Sequence, residues 1–165
     1  MSWLTPRSAP TPFEAALSHR PELLSRYRAF YASLWNETRA PRRTLEMCRL
    51  RVAAIHDCAQ EWQLRDATVA LAEQDLRDIE CGDFARFTED ERNALAIAEL
   101  MPYGHHDVTD ADVARVRSAL GAAGTVALLT AIAFFDVTCR LKLALDIDVQ
   151  ALALDQAPLH QGALV

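Results

Sequence analysis

The feature that most constrains the fold is a ten-residue run near the C-terminus, Val126 to Phe135, that is apolar on nearly every face of a helix. It is too short to span a bilayer, which takes about 20 apolar residues, and Asp136, Arg140 and Lys142 follow at once. A helix that is apolar all round must be buried, either centrally or against another subunit. The run therefore predicts the central helix of an all-α protein and excludes a membrane span.

The rest of the chain also favours helix. Alanine, leucine, arginine and glutamate dominate, and there are only 5 glycines. Apolar residues at helical spacing predict one helix that begins near Pro21 and a second over the stretch PRRTLEMCRLRVAAIHD. Asp57 has the character of an N-cap with Gln60 as its capping-box partner, which predicts a third helix from Cys58 to about Ala72.

Further helix boundaries come from short polar signals. Thr88 with Glu91 forms a capping box, and Thr109 has the character of an N-cap. Gly82 marks the end of a short helical stretch, and Gly121 is expected to close the helix that Thr109 opens. We expect about six or seven helices in a single domain over residues 1–165, with an extended arm at 1–12 and an aperiodic tail at 148–165.

Charge and cysteine content narrow the class of protein. The net charge is −6, the pI is about 5.3 and no basic stripe is present, so nucleic-acid binding is not expected. The N-terminus does not resemble a signal peptide. The four cysteines, at 48, 58, 81 and 139, form no C-x-x-C motif, and the His105–His106 pair lacks a third ligand at a helical offset. We expect a reduced, cytoplasmic protein with no metal, no cofactor and no membrane or nucleic-acid partner.

Several segments together carry a family resemblance: LEMCRLRVAAIHDC, the EW that follows it, FTEDERNALAIAEL, GHHDVTDAD and AIAFFDVTCRLKLAL. In order and spacing they resemble the carboxymuconolactone decarboxylase family, which includes the alkylhydroperoxidase D-like proteins. The resemblance runs from about HRPELL to ALDI. It implies an alkylhydroperoxidase D-like helical bundle that assembles as a homo-oligomer, often a trimer or hexamer, with sites close to subunit interfaces.

The resemblance also implies site positions. Alkylhydroperoxidase D-like proteins carry C-x-x-C-x-x-x-H at this helix start, with a glutamate one helix earlier. The first cysteine corresponds to Cys58 and the earlier glutamate to Glu46, whereas Glu61 occupies the second cysteine position and Arg65 the histidine position. The decarboxylase branch resembles C-E-Y-E-W, to which CAQEW, with Cys58, Glu61 and Trp62, is closer.

The residues themselves suggest a shared pocket. On one helix Cys58, Glu61 and Arg65 would share a face, with Trp62 as a wall of the pocket. Cys58 in a first turn would gain thiolate character from the helix dipole. A Glu61–Arg65 pair would lower the pKa of Glu61, because a neighbouring arginine favours the carboxylate. Glu46 is then the better candidate base, and Glu61 would hold Arg65 in place.

The candidate catalytic residues are thus Glu46, Cys58 and Glu61. The candidate substrate-binding residues are His56, Trp62 and Arg65. The first function hypothesis is acid/base chemistry, decarboxylase- or isomerase-like, on a small organic acid or carbonyl compound. The second is an alkylhydroperoxidase D-like peroxidase that uses Cys58 with an external thiol. The third is a non-catalytic oligomeric binding protein.

Overall fold

A computed structural model describes residues 4, 7–36 and 39–147, and within these residues the chain is built of α-helices without any strand. The seven helices are α1 (Pro12–Leu17), α2 (Pro21–Asn36), α3 (Arg42–Ile55), α4 (Ala59–Trp62), α5 (Glu73–Cys81), α6 (Glu89–Leu100) and α7 (Asp110–Ala144), with a 3₁₀ turn at His105–Asp107 between α6 and α7. The predicted all-α class is confirmed. The predicted tail at 148–165 lies outside the described residues.

Helix α3 is the centre of the bundle and packs against α5, α6 and α7. Its apolar side chains Leu45, Met47, Leu50 and Val52 are completely buried. Each such side chain contributes roughly 1.5–3 kcal/mol when removed from water. Because other helices cover α3 on several sides, charged residues on it are also buried. These buried charges contribute to the candidate site.

The predicted helix boundaries at the polar signals are confirmed. The Thr88 hydroxyl accepts a hydrogen bond from the Glu91 backbone N–H, and the Glu91 carboxylate accepts one from the Thr88 backbone N–H. Thr109 caps α7 in the same manner. Gly82 ends α5 in the left-handed region at φ 78°, a conformation that costs glycine no Cβ strain. Pro21 begins α2 and Pro12 already lies in α1, so the expected arm is one residue shorter within its described part.

Helix α7 contains a sharp break at Gly121, where φ is 68° and ψ is 177°. The predicted closure of a helix at this glycine is therefore correct, and the second half of α7 carries the apolar run. By length and composition alone α7 could cross a membrane, with a mean hydropathy of 1.9 over its most apolar window. In the fold it packs against α3 and α6, and Leu128, Ala131, Ile132 and Phe135 are buried there. One face of α7 is thus packed in the interior, while only 33% of its most apolar window is buried within one subunit.

One predicted helix is wrong. The helix expected from Cys58 to about Ala72 is only four residues long, Ala59–Trp62. Asp57 does not cap it, because its backbone adopts φ 51° and Cys58 takes the N-cap position without a side-chain hydrogen bond. Carbonyl oxygens of Glu61 and Leu64 accept hydrogen bonds from the Arg49 guanidinium. The segment after Trp62 thus satisfies part of its backbone through tertiary contacts with α3.

Candidate functional site

A buried ionic cluster joins α3, α4 and α7, and it consists of Glu46, Arg49, Glu61 and Lys142. All four side chains are at most 5% exposed. Arg49 is at the centre: its Nε and Nη2 donate to the two oxygens of Glu46 at 2.8 and 2.7 Å, and its Nη1 donates to Glu61 Oε2 at 2.7 Å. Two anions and two cations therefore balance one another within the protein interior.

Glu46 has both carboxylate oxygens engaged. Besides the two-point contact with Arg49, its Oε1 accepts the backbone N–H of Asp66 at 3.1 Å. Glu46 is 1% exposed, and the segment that it contacts beyond α3 lies after α4, at Asp66. A carboxylate that receives a bidentate guanidinium and a backbone N–H is held in a fixed orientation. Its geometry suits a structural anion better than a proton-transferring base.

Glu61 lies between two cations. Lys142 Nζ donates to its Oε1 at 2.5 Å, opposite the contact of Arg49 with Oε2. Burial acts to raise the pKa of Glu61, but Lys142 and Arg49 outweigh burial and hold the pKa below its usual value. Glu61 is thus an ionised anchor that ties α4 to both α3 and α7.

The expected pairing of Glu61 with Arg65 is not what the structure shows. Because α4 ends at Trp62, Arg65 leaves the helical face on which the spacing argument placed it. The Arg65 guanidinium instead lies 4.8 Å from the centre of the Trp62 ring, and Nη1 donates to the Leu64 carbonyl at 3.3 Å. Arg49, three residues after Glu46 on α3, forms the ion pair with Glu61 instead.

A small cavity lies on the Glu46 side of the cluster. Its volume is about 10 Å³, which is room for about one water molecule. Its walls include Trp35, Glu46, Arg49, Arg65 and Asp66, whereas Cys58 is not among them. This cavity is too small for an organic acid, and it does not join Glu46 to Cys58.

Cys58 lies on the opposite side of Glu61, against α7, where it meets a second thiol. The thiols of Cys58 and Cys139 act on each other's pKa, and both cysteines are at most 1% exposed. The Cys139 thiol lowers the pKa of Cys58, burial opposes it, and the backbone N–H of Glu61 and the charge of Lys142 add to the lowering. The Cys58 thiol, together with burial, raises the pKa of Cys139. The pair is therefore polarised, with Cys58 as the more acidic thiol.

His56 occupies the break between α3 and α4 and connects it to α7. Its Nε2 lies 2.5 Å from Asp136 Oδ1, and the Tyr103 hydroxyl lies 2.9 Å from its Nδ1. Asp136 also accepts from Arg140 Nε at 2.9 Å, which confirms the predicted Asp136–Arg140 pair. The expectation that His56 faces a pocket is not supported, since its ring is held between Tyr103 and Asp136.

The remaining cysteines and histidines contribute no recognisable site. Cys48 is completely buried on α3, where burial raises its pKa, and Cys81 is exposed. No group of three or more His, Cys, Asp or Glu side chains within residues 4, 7–36 and 39–147 is arranged to hold a metal ion.

Three residues of the site were missed from the sequence: Arg49, Cys139 and Lys142. Each had a signal. Arg49 follows Glu46 at i+3 on an apolar helix, which is a favourable spacing for an ion pair. Lys142 is the single lysine of a chain that otherwise uses arginine, and Cys139 precedes it by three residues on the same helix. None of these signals identifies a partner on another helix.

Comparison with known proteins adds to this geometry. Neither a protein-family model nor a curated protein matches the chain. Among solved structures it is similar to the crystal structure of an alkylhydroperoxidase AhpD core, an uncharacterized peroxidase-related protein from Ralstonia eutropha JMP134. The TM-score is 0.72 at 16% sequence identity, over 86% of this chain and 77% of that one. The fold implied by the sequence resemblance is thus confirmed: this chain adopts the alkylhydroperoxidase D-like helical fold.

Proposed function

We propose that the protein is a thiol-dependent peroxidase in which Cys58 reduces a small hydroperoxide and an external thiol restores it. The observation that carries the proposal is the environment of the Cys58 sulfur. The Cys139 thiol and the positive charge of Lys142 both lower the pKa of Cys58, and they do so because each favours the thiolate. The thiolate is the nucleophilic form of cysteine, and it is the form that peroxides oxidise.

The competing acid/base chemistry has less support in the same geometry. Its proposed base, Glu46, is hydrogen-bonded by Arg49 and Asp66, and Glu61 is held by Arg49 and Lys142. A general base needs an oxygen within reach of a substrate proton and a pKa near the working pH. The peroxidase function therefore ranks first, and acid/base chemistry on an organic acid stays a prediction from the sequence.

Access to Cys58 runs past Gln60. The Cys58 thiol donates to Gln60 Oε1 at 3.5 Å, and the Gln60 amide donates to the Ile147 carbonyl at 2.5 Å. Gln60 is partly exposed while Cys58 is buried. A displacement of this one side chain would bring a small hydroperoxide to the sulfur, whereas a bulky substrate would require opening of the α4–α7 contact.

The direct test is reaction of the purified protein with dilute hydrogen peroxide and a small alkyl hydroperoxide, in the presence of a dithiol reductant. We expect peroxide consumption, and a sulfenic acid at Cys58 that a dimedone-type probe labels and mass spectrometry locates. Cys58→Ser abolishes both signals. Cys81→Ser, which removes an exposed thiol far from the cluster, retains them. Wild-type rates in Cys58→Ser would contradict the proposal.

We also propose that the protein forms a homo-oligomer in a reducing, cytoplasm-like compartment. Only 33% of the most apolar window of α7 is buried within one subunit. Val126, Val137, Leu141 and Leu143 are exposed on this helix. Contiguous exposed apolar surface on a helix of this kind typically marks a protein–protein contact. Light scattering coupled to size-exclusion chromatography measures the number of subunits.

A further inference from the structure

The cysteine on α7 has no counterpart in the motif that the sequence resemblance supplied, yet it lies against the candidate nucleophile. The motif places its second cysteine three residues after the first, where this chain has Glu61. Cys139 is 81 residues further along than Cys58 and comes from a different helix. The question is whether this contact is incidental packing or a functional pair.

The contacts on either side of the pair fix how α7 lies against the segment that carries Cys58. Asp136, Cys139 and Lys142 lie at i, i+3 and i+6 on α7 and share one face of the helix. Asp136 contacts His56 at 2.5 Å, and Lys142 contacts Glu61 at 2.5 Å.

The segment that faces α7 runs from His56 to Glu61, and Cys58 lies between these two residues. On α7, Cys139 lies between their partners, Asp136 and Lys142. The His56–Asp136 hydrogen bond on one side and the Glu61–Lys142 ion pair on the other, each of 2.5 Å, therefore hold Cys139 opposite Cys58.

We propose that Cys139 is the resolving cysteine of this protein and forms an intramolecular disulfide with Cys58 after Cys58 has been oxidised. The inference deepens the proposed function, because it names the group that completes the reaction of Cys58 with a hydroperoxide. It assigns the role to a residue on a separate helix, so a pair of thiols is present although the C-x-x-C motif is absent.

The reaction balances as follows. The Cys58 thiolate attacks the terminal oxygen of the hydroperoxide, an S–O bond forms and the O–O bond breaks. The alkoxide leaves and takes up a proton, which gives an alcohol and Cys58 sulfenic acid. The Cys139 thiol then attacks the Cys58 sulfur and gives up its proton, an S–S bond forms, the S–O bond breaks, and the leaving hydroxide takes up that proton as water. Two thiols and one hydroperoxide thus yield a disulfide, an alcohol and water, and an external thiol of solution returns both cysteines to the reduced state.

The chain offers a clean assay for this pair, because trypsin places each cysteine on its own peptide. Cys58 lies on residues 52–65 and Cys139 on residues 118–140, while Cys48 and Cys81 lie on residues 44–49 and 78–86. The full-length reduced protein is treated with one equivalent of hydrogen peroxide, blocked with an alkylating agent and mapped without reduction. We expect a linked pair of peptides 52–65 and 118–140, with Cys48 and Cys81 recovered as alkylated thiols.

Variants at Cys139 sharpen the assay. Cys139→Ser and Cys139→Ala should both lose the linked peptides, accumulate Cys58 sulfenic acid with one equivalent of peroxide, and progress to sulfinic acid with excess. Wild-type protein resists this overoxidation because the disulfide protects Cys58. The Cys48→Ser variant is the matched control, since Cys48 is equally buried but lies apart from the pair, and it should behave as wild type. Circular dichroism confirms that each variant is folded before it is compared.

A parallel reaction with diamide, which oxidises neighbouring thiols without peroxide, separates the two proposals. A linked pair with diamide but no reaction with peroxide supports the pairing of Cys58 with Cys139 and contradicts the peroxidase function. A persistent Cys58 sulfenic acid without the linked pair supports the peroxidase function and overturns the role of Cys139. The absence of the linked peptides in both reactions also overturns it, because the sulfurs then cannot close to the roughly 2 Å of a disulfide.

Discussion

The ionic cluster joins α3, α4 and α7, the thiol pair joins the start of α4 to α7, and the two regions behave oppositely. In the cluster, Glu46 and Glu61 are both held by cations, and removal of any member would leave a buried charge without compensation. In the thiol pair the partners are chemically alike, yet one has a lowered and the other a raised pKa. A fully satisfied network stabilises one conformation, whereas a polarised pair retains the capacity to react.

The two regions also share a member. Lys142 neutralises Glu61 through a direct contact and acts on Cys58 through its charge alone. Glu46 and Glu61, the charged residues that were predicted to perform chemistry, mainly fix the geometry of the site. Cys58, the residue of the second function hypothesis, lies in the more reactive environment. Three predictions test this division, in decreasing order of expected effect.

The largest effect is expected for Arg49→Met. It removes the cation that both Glu46 and Glu61 contact, and breaking a buried ion pair from one side costs about 3–5 kcal/mol of unfolding free energy. Urea denaturation followed by circular dichroism measures the loss. Arg77→Met is the matched control, because Arg77 is an exposed arginine whose pair with Glu73 lies at the surface, and its stability should equal that of wild type. A stable Arg49→Met protein would show that the cluster is not structural.

A smaller, pH-dependent effect is expected for Glu61→Gln. At neutral pH the variant should lose about 1–3 kcal/mol, because the charged partners of Glu61 lose a buried acceptor. The folded-state pKa of Glu61 lies below 4.5, so its contribution to stability is present above that pH and is lost as the pH falls through the folded value.

The difference between wild type and Glu61→Gln should therefore narrow in acid, which urea titrations at pH 7, 5, 4 and 3 would show. Glu73→Gln, at an exposed carboxylate, is expected to leave the pH dependence unchanged. A constant difference between wild type and Glu61→Gln at all four values would contradict the assignment of Glu61 as an ionised anchor.

The smallest effect concerns Cys58 itself. Its pKa is lowered from 9.0, first by Cys139 and further by Lys142, against burial and the charge of Glu61. The rate of alkylation of Cys58 should therefore reach half of its maximum below pH 9, and Lys142→Met should move this midpoint upward. Mass spectrometry of peptide 52–65 follows the reaction at each pH. A midpoint at or above that of the unfolded protein would remove the basis of the peroxidase proposal.

Most of the fold could be predicted because its signals are local. The capping box of Thr88 and Glu91, the left-handed Gly82 and the break at Gly121 each depend on a few neighbouring residues, and all three are confirmed. The helix after Cys58 was predicted wrongly because the contacts that decide its conformation are not local. Its carbonyl groups are satisfied by Arg49, which lies on another helix, and no local pattern reports such a contact.

The candidate site divides in the same way. The sequence by itself singled out Glu46, Cys58 and Glu61, which lie on or beside two consecutive helical segments. Only the tertiary structure decided that Arg49 rather than Arg65 holds Glu61, and that Cys139 meets Cys58. Spacing along a helix fixes which side chains share a face, but the partner across an interface depends on how α7 packs against that face. The charges and thiols of this protein acquire their roles through that packing.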